Sequence, residues 1–168
     1  MAKTAVAPKQ TDNSEQQQFP PKEEYQLWKP KKDGKGAAAI FSYSPDKNAI
    51  FVTMMPQKAG DDNSRSFDNE ARINVKLGLN DVGEILRVLT GKAEGLGTKK
   101  DKYWSGLYHQ NANGNSSINL SRGDYGLIFR ISVSRGDDNK AYNVGVTEGE
   151  ANILEMFLRT YAPRMFVQ

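Results

Sequence analysis

The sequence contains no cysteine and a single histidine, His109. The absence of cysteine excludes disulfides, thiolate metal ligands and cysteine nucleophiles, and it suits a reducing compartment. A catalytic His109 would need a serine or carboxylate partner, but the chain has no nucleophile elbow, phosphate-binding loop or zinc-ligand spacing. The sequence therefore predicts a protein that is not an enzyme and that needs no metal or other cofactor.

Long hydrophobic runs are also missing. No apolar stretch approaches the roughly 18 residues that a membrane helix requires, so no membrane partner is expected. Residues 1–23 are poor in apolar residues and rich in Gln, Pro, Ser and Lys, which predicts a disordered tail. They contain no arginine and several acidic residues, unlike an organelle-targeting peptide. We expect a cytoplasmic protein of a bacterial, archaeal or phage-infected cell, with one domain over residues 24–168.

The hydrophobic pattern changes period twice, each time from strand to helix. Residues 72–77 alternate and are followed by a helical pattern that we expect to begin near Asn80 or Asp81 and to end at Gly91. Near the end of the chain a similar pattern of strand and helix occurs, with Thr147 as the predicted N-cap of the helix and Glu150 completing a capping box. Alternation and turn residues place the remaining strands at residues 24–29, 37–44, 49–55, 103–109, 116–121, 127–134 and 141–146.

This order predicts an α+β fold made of two four-stranded antiparallel β-sheets, each followed by a helix (β4α–β4α). Each helix covers one face of a sheet and leaves the other face open. In residues 72–77, Ile73, Val75 and Leu77 face the helix, so Arg72, Asn74 and Lys76 face outward.

The predicted outer faces combine cations, amides and aromatic rings. Cations neutralise phosphates and planar rings stack on unpaired bases, so this combination is typical of single-stranded nucleic-acid binding. A solvated sheet, or a sheet used only as a subunit interface in a structural protein, would show the same residues. The predicted binding residues are Arg72, Lys76 and Arg130 for phosphates, Phe41, Tyr43, Phe51, Trp104 and Tyr108 for stacking, and Asn74 and Asn119 as hydrogen-bond partners.

Four stretches of the sequence together match the motifs of one known protein family. "GKGAAAIFS" is similar to a Lys-Gly-Lys-Ala-Ala-Leu motif of that family, and "LYHQ" to its Phe-Phe-His-Asp stretch. The segments "RSFDNEARINVKLGLNDVGEILRVL" and "VGVTEGEANILEMFLRTYAPRMF" resemble its two joints of strand and helix. In these four stretches the chain resembles the Whirly family of single-stranded DNA-binding proteins, and the resemblance spans residues 31–166.

The resemblance implies a duplicated β4α fold, a homotetramer, and binding to single-stranded DNA with little sequence preference. It also adds Lys35, the lysine of "GKGAAAIFS", to the predicted phosphate contacts. Single-stranded RNA stays open as the alternative partner, because the discrimination depends on contacts to the 2′-hydroxyl. The last helix and the residues after it contain more apolar side chains than are needed to cover one sheet, and surplus apolar surface of this kind usually meets a partner. An oligomer is therefore also expected, through Met156, Phe157, Met165 and Phe166. The process served (replication, repair, recombination or transcription) is not specified by the sequence.

Overall fold

The computed structural model describes residues 23–58, 66–112 and 114–166. The predicted tail therefore lies outside the described residues, apart from Glu23. The carbonyl oxygen of Glu23 accepts a hydrogen bond from the Tyr43 amide at 3.0 Å, and its carboxylate lies 3.1 Å from Arg164 Nη1. Glu23 thus belongs to the folded part of the chain. None of the helices within the described ranges has the length and apolar character to cross a membrane.

The N-terminal sheet has four antiparallel strands that lie side by side in chain order. One helix, α1 (Leu79–Leu89), follows its last strand, and a short 3₁₀ turn (Pro45–Lys47) connects the second strand to the third. The strands are β1 (Glu24–Lys29), β2 (Ala37–Ser44), β3 (Ala49–Pro56) and β4 (Ile73–Leu77).

The second half begins with a small hairpin of two strands, β5 (Lys99–Lys100) and β6 (Tyr103–Trp104). The C-terminal sheet follows, with strand order β10-β9-β8-β7, and then α2 (Glu148–Tyr161) and a 3₁₀ turn (Ala162–Phe166). Its strands are β7 (Leu107–Asn111), β8 (Gly114–Gly123), β9 (Gly126–Arg135) and β10 (Asp138–Val146). The prediction of one strand over residues 103–109 was wrong, because Gly106 has a φ of +73° and interrupts the extended backbone.

The two joints of strand and helix have the same construction. After β4, Gly78 is the N-cap of α1, and Asp81 Oδ2 accepts the Gly78 amide at 2.6 Å. After β10, Thr147 is the N-cap of α2, and Glu150 Oε2 accepts the Thr147 amide at 2.8 Å. The predicted cap at Thr147 is confirmed, whereas the cap of α1 was misplaced, because Asp81 occupies the third helical position. The predicted architecture of two sheets, each followed by a helix, is confirmed.

Among the described residues, one hydrophobic core joins both sheets and both helices. The Phe41 ring of β2 lies 5.2 Å from the Phe129 ring of β9, and both side chains are fully buried. Each fully buried side chain of this size stabilises the fold by roughly 1.5–3 kcal/mol. Polar contacts add to the connection, since the Tyr142 hydroxyl of β10 donates to the Ala71 carbonyl at 2.8 Å. The helix-facing sides of the sheets are thus occupied by the core, and their other sides remain available.

Candidate nucleic-acid interface

The side of the N-terminal sheet that faces away from the core is here called the N-terminal outer face. Strand pairing places Lys76 opposite Phe51 and Asn74 opposite Thr53. Lys76 and Asn74 are exposed and Phe51 is half-buried, with Lys47 Nζ 5.3 Å from the centre of its ring. Continued across the sheet, these rows make up the outer face, which consists of Glu24, Gln26, Trp28, Ala38, Ile40, Ser42, Phe51, Thr53, Met55, Asn74 and Lys76.

Two predicted stacking residues lie on the opposite side of this sheet. Phe41 is paired with Val52 and is 0% exposed, so its ring belongs to the core. Tyr43 is paired with Ile50, and its ring stacks on Tyr161 of α2 at 5.1 Å. The predicted outward orientation of Phe41 and Tyr43 was wrong, because the register with β3 turns both rings toward the helices.

The C-terminal outer face is the corresponding side of the second sheet. Its central row places Asn119, Arg130 and Asn143 side by side on β8, β9 and β10. Arg130 is exposed, and the Tyr108 side chain in the neighbouring row is 62% exposed. A guanidinium, two amides and a ring therefore share this surface. The face consists of Tyr108, Gln110, Asn115, Ser117, Asn119, Ser121, Ile128, Arg130, Ser132, Ser134, Asn139, Ala141, Asn143 and Gly145.

Trp104 reaches the C-terminal outer face from the hairpin rather than from a sheet strand. Gly95 is paired with Ser121, and a β-carbon added at Gly95 would lie 2.4 Å from the Trp104 ring. The ring therefore covers Gly95 on the outer side of the sheet. The Asn119 side-chain amide donates to the Trp104 carbonyl at 2.7 Å. This hydrogen bond holds Asn119 and Trp104, both predicted binding residues, next to each other.

The two remaining predicted cations lie outside the strands. Lys35 is exposed in the turn between β1 and β2, where its amide donates to Asp33 Oδ1 at 3.1 Å. Arg72 is exposed immediately before β4, and its Nη1 donates to Asn69 Oδ1 at 3.1 Å. Arg72 continues the line of Asn74 and Lys76, whereas Lys35 does not belong to either outer face.

A groove of about 710 Å³ lies between the two outer faces. Trp28 contributes from the N-terminal outer face, and Ile128 and Gly145 contribute from the C-terminal one. Lys31 from the loop after β1, and Asp124 and Tyr125 from the β8–β9 turn, also line it. Trp28 is 46% exposed and Tyr125 is 99% exposed, so both rings are free to stack on a ligand.

A polar cleft lies at the other side of the molecule, between the edge strand β4 and the C-terminal sheet. Lys76 and Arg135 both line it, together with His109 and Gln110, and its volume is about 370 Å³. His109 Nε2 lies 2.9 Å from Asp81 Oδ1, so that carboxylate is engaged within the cleft. The cleft thus brings cations of both halves of the chain together at Lys76 and Arg135.

Solved structures match this chain in fold, although no protein-family model and no curated protein matches it in sequence. WHY3 from Arabidopsis thaliana is 14% identical over 86% of this chain and 88% of that chain, with a TM-score of 0.60. The plant transcriptional regulator PBF-2 is 16% identical over 84% of this chain and 81% of that chain, with a TM-score of 0.58. The chain has a Whirly-like fold.

A third match is a guide-RNA-binding protein complex solved with a gRNA bound. It is 15% identical over 85% of this chain and 90% of that chain, with a TM-score of 0.56. The predicted resemblance is confirmed as a likeness of fold.

Several residues of the Whirly-like chain's candidate interface were not predicted from sequence. Trp28 could have been found from its neighbour, because Leu27 is buried and adjacent strand residues face opposite sides. Tyr125 and Lys31 carry no such signal, since their place in the groove depends on how the two sheets pack. The groove therefore emerges only from the tertiary structure.

Proposed function

We propose that this chain binds single-stranded nucleic acid, single-stranded DNA first of all, with little sequence preference. The observation that carries the proposal is the groove between the two outer faces, with exposed rings at Trp28 and Tyr125. Lys31 supplies a positive charge at the groove itself, and Lys76 and Arg130 supply positive charge elsewhere on the two outer faces. The net charge of +3 is compatible with a polyanionic partner.

The chemistry favours unpaired bases over a duplex. Each exposed ring offers a stacking platform worth roughly 1–3 kcal/mol per base, and stacking tolerates any base. In a duplex the flat sides of the bases are covered by their neighbours, so rings placed along a surface cannot reach them. Phosphate contacts by lysine and arginine also carry no base information. Because neither stacking nor phosphate contacts distinguish between bases, the sequence preference should be weak.

Single-stranded RNA is the second candidate. Ser117, Ser132 and the Asn143 amide on the C-terminal outer face are hydrogen-bonding groups of the kind that contact a 2′-hydroxyl. The bound gRNA in one structurally similar complex gives further support to this reading. A comparison of DNA and RNA of the same sequence decides between the two.

We further propose that the protein is a homo-oligomer, a tetramer by its resemblance, with α2 in the interface. Ile153, Met156 and Phe166 are 50%, 64% and 67% exposed, an unusual apolar surface for one helix and its turn. Phe157 and Met165, which were expected on this surface, instead pack against the core. Light scattering at micromolar concentration tests the assembly, and a monomer mass contradicts it. A cytoplasmic setting stays a prediction.

The decisive experiment is a fluorescence-anisotropy titration at two salt concentrations. The ligands are a labelled single-stranded DNA, the RNA of the same sequence, and a blunt DNA duplex of the same length. We expect single strands to bind more tightly than the duplex, with an affinity that falls as salt rises. Equal or tighter binding of the duplex overturns the proposal.

A further inference from the structure

The hairpin of residues 97–106 projects from the edge of the C-terminal sheet at Asn119. On one side of Asn119, residues 94–96 pair with β8, where the Leu96 amide donates to the Leu120 carbonyl at 3.0 Å. On the other side, β7 pairs with residues 114–118 of the same strand. Residues 97–106 therefore leave the edge of the sheet on one side of Asn119 and return to it on the other side.

The neck of this hairpin is tightly built. Gly97 and Gly106 have φ values of +76° and +73°, which side-chain-bearing residues rarely adopt. A β-carbon at Gly97 would lie 2.3 Å from Ser105 Oγ, and one at Gly106 would lie 2.5 Å from the Ile118 carbonyl oxygen. The Asn119 bond to the Trp104 carbonyl and the Trp104 ring on Gly95 fasten the hairpin from the sheet side. The hairpin is thus held in one position beside the C-terminal outer face.

The free side of the hairpin carries positive charge and an exposed ring. Lys100 is paired with Tyr103, so these two side chains share the side opposite to Lys99 and Trp104. Tyr103 is 78% exposed, and Lys100 and Lys102 are exposed beside it. Lys99 lies 3.5 Å from Glu94, but within residues 23–58, 66–112 and 114–166 no carboxylate lies within 4 Å of Lys100 or Lys102.

We propose that this hairpin is a second nucleic-acid-binding element that extends the path of the strand beyond the C-terminal outer face. Lys100 and Lys102 bind phosphates, and Tyr103 stacks on an unpaired base. The inference rests on the proposed function, and it assigns a site to residues that neither outer face includes. An exposed ring beside two exposed lysines suits a strand of alternating phosphates and bases, whereas an acidic protein surface would leave the ring without a stacking partner. The exposed Asp101 lies between the two lysines in the turn, so the turn keeps a net positive charge of one.

Position on the molecule supports the assignment. Asn119 belongs to the central row with Arg130, and the same Asn119 holds the hairpin through the Trp104 carbonyl. A strand that lies along this row therefore ends beside the hairpin. The hairpin then adds contacts only for strands long enough to reach it.

The test measures affinity and salt dependence with homothymidine oligonucleotides of increasing length. The variants are Lys100→Ala/Lys102→Ala and Tyr103→Ala, with Tyr103→Phe as the variant that retains stacking. For long oligonucleotides we expect the double lysine variant to reduce the salt slope by about 1.4, because each single-strand phosphate contact contributes about 0.7. Tyr103→Ala should weaken binding roughly 5- to 150-fold with the slope unchanged, and Tyr103→Phe should bind like wild type. For the shortest oligonucleotides that bind, all variants should match the wild type.

The matched control is Arg87→Ala/Lys92→Ala, which removes the same charge from the end of α1. This control variant should have the same salt dependence of binding affinity as the wild type. Thermal unfolding should show that every variant is folded. If the wild type binds single strands and the hairpin variants match it at every length, the hairpin is not a contact and this inference is wrong. If the wild type itself does not bind single strands, the proposed function fails and the inference fails with it.

Discussion

The Phe41 ring lies 5.2 Å from the Phe129 ring, at the centre of the core that the two sheets share. Phe41 comes from β2 of the N-terminal sheet and Phe129 from β9 of the C-terminal sheet. Because close-packed side chains resist sliding, this contact fixes how the outer faces are oriented relative to each other. The groove between Trp28 and Ile128 on the outside is a consequence of that packing.

The core contact leads to a paired prediction on Phe41 and Phe51. Phe41→Ala should lower the free energy of unfolding by about 3–5 kcal/mol, because a fully buried ring leaves a cavity. Phe51→Ala should cost much less stability, because the Phe51 ring is half-buried on the outer face, and should weaken binding instead. Urea denaturation and DNA titration of both variants are the measurements. Equal losses of stability would contradict the assignment of the two rings to opposite faces.

A second prediction concerns the phosphate contact expected at Lys76. Lys76→Ala should weaken binding to all single-stranded sequences alike and reduce the salt slope by about 0.7, since a phosphate contact carries no base information. The control is Arg87→Ala on α1, where Arg87 Nη1 lies 2.7 Å from Glu84 Oε2. Affinities at several salt concentrations give the slopes. An unchanged slope for Lys76→Ala would show that the strand does not cross the N-terminal outer face at this lysine.

The contrast between β4 and β2 explains which orientations could be predicted from sequence. In β4, buried and exposed residues alternate strictly, so Asn74 and Lys76 were correctly placed outside. In β2, Ala37, Ala38 and Ala39 are all buried although they lie on both sides of the strand, so burial does not alternate there. The register with β3 places Ser42 on the outer side and the Phe41 ring in the core.

The groove and the hairpin were beyond sequence reasoning for a different reason. Trp28 and Ile128 are 100 positions apart in the chain, and their proximity depends on the packing of two separate sheets. The hairpin depends on the positive φ values of Gly97 and Gly106, which divide a stretch that otherwise alternates like one strand. Local sequence patterns predict the strands, the helices and the sides that they expose. The positions of the groove and the hairpin residues can be known only from the tertiary structure.

A third prediction tests the groove through Trp28. Its ring is partly exposed, contacts Phe67 edge-on at 5.1 Å, and donates a hydrogen bond to Gln26 Oε1 at 2.8 Å. Trp28→Ala should weaken single-strand binding by roughly 1–3 kcal/mol without changing the salt slope, because a stacking contact is lost and no charge is removed. Trp28→Phe keeps a ring in place and should retain most of the affinity. Binding of Trp28→Ala at wild-type affinity would exclude the groove from the path of the strand.

The last prediction concerns the pH dependence of stability at Glu150. Partial burial acts to raise the pKa of this carboxyl, but the hydrogen bonds from Lys29 and Thr147 outweigh it, and the pKa lies below its ordinary value of 4.5. A carboxyl with a lowered folded-state pKa stabilises the fold above its ordinary pKa, and this contribution is lost as the pH falls through the folded-state value. Glu150→Gln removes the charge, while the amide oxygen can still accept the Thr147 hydrogen bond. The variant should therefore be less stable than wild type at pH 7, and the difference should shrink below about pH 4.

The control for Glu150 is Glu155→Gln on the same helix. Glu155 forms an i,i+4 pair with Arg159 at 2.7 Å, and exposed pairs of this kind contribute only about 0.3–0.5 kcal/mol. Urea denaturation of both variants between pH 3 and pH 7 provides the comparison. A difference between wild type and Glu150→Gln that stays constant over this range would mean that the ionised carboxylate does not stabilise the joint between β10 and α2. A difference that closes at low pH would show that the ionised Glu150 carboxylate stabilises the fold through its contacts with Thr147 and with Lys29, the latter connecting β1 of the first sheet to the helix of the second unit.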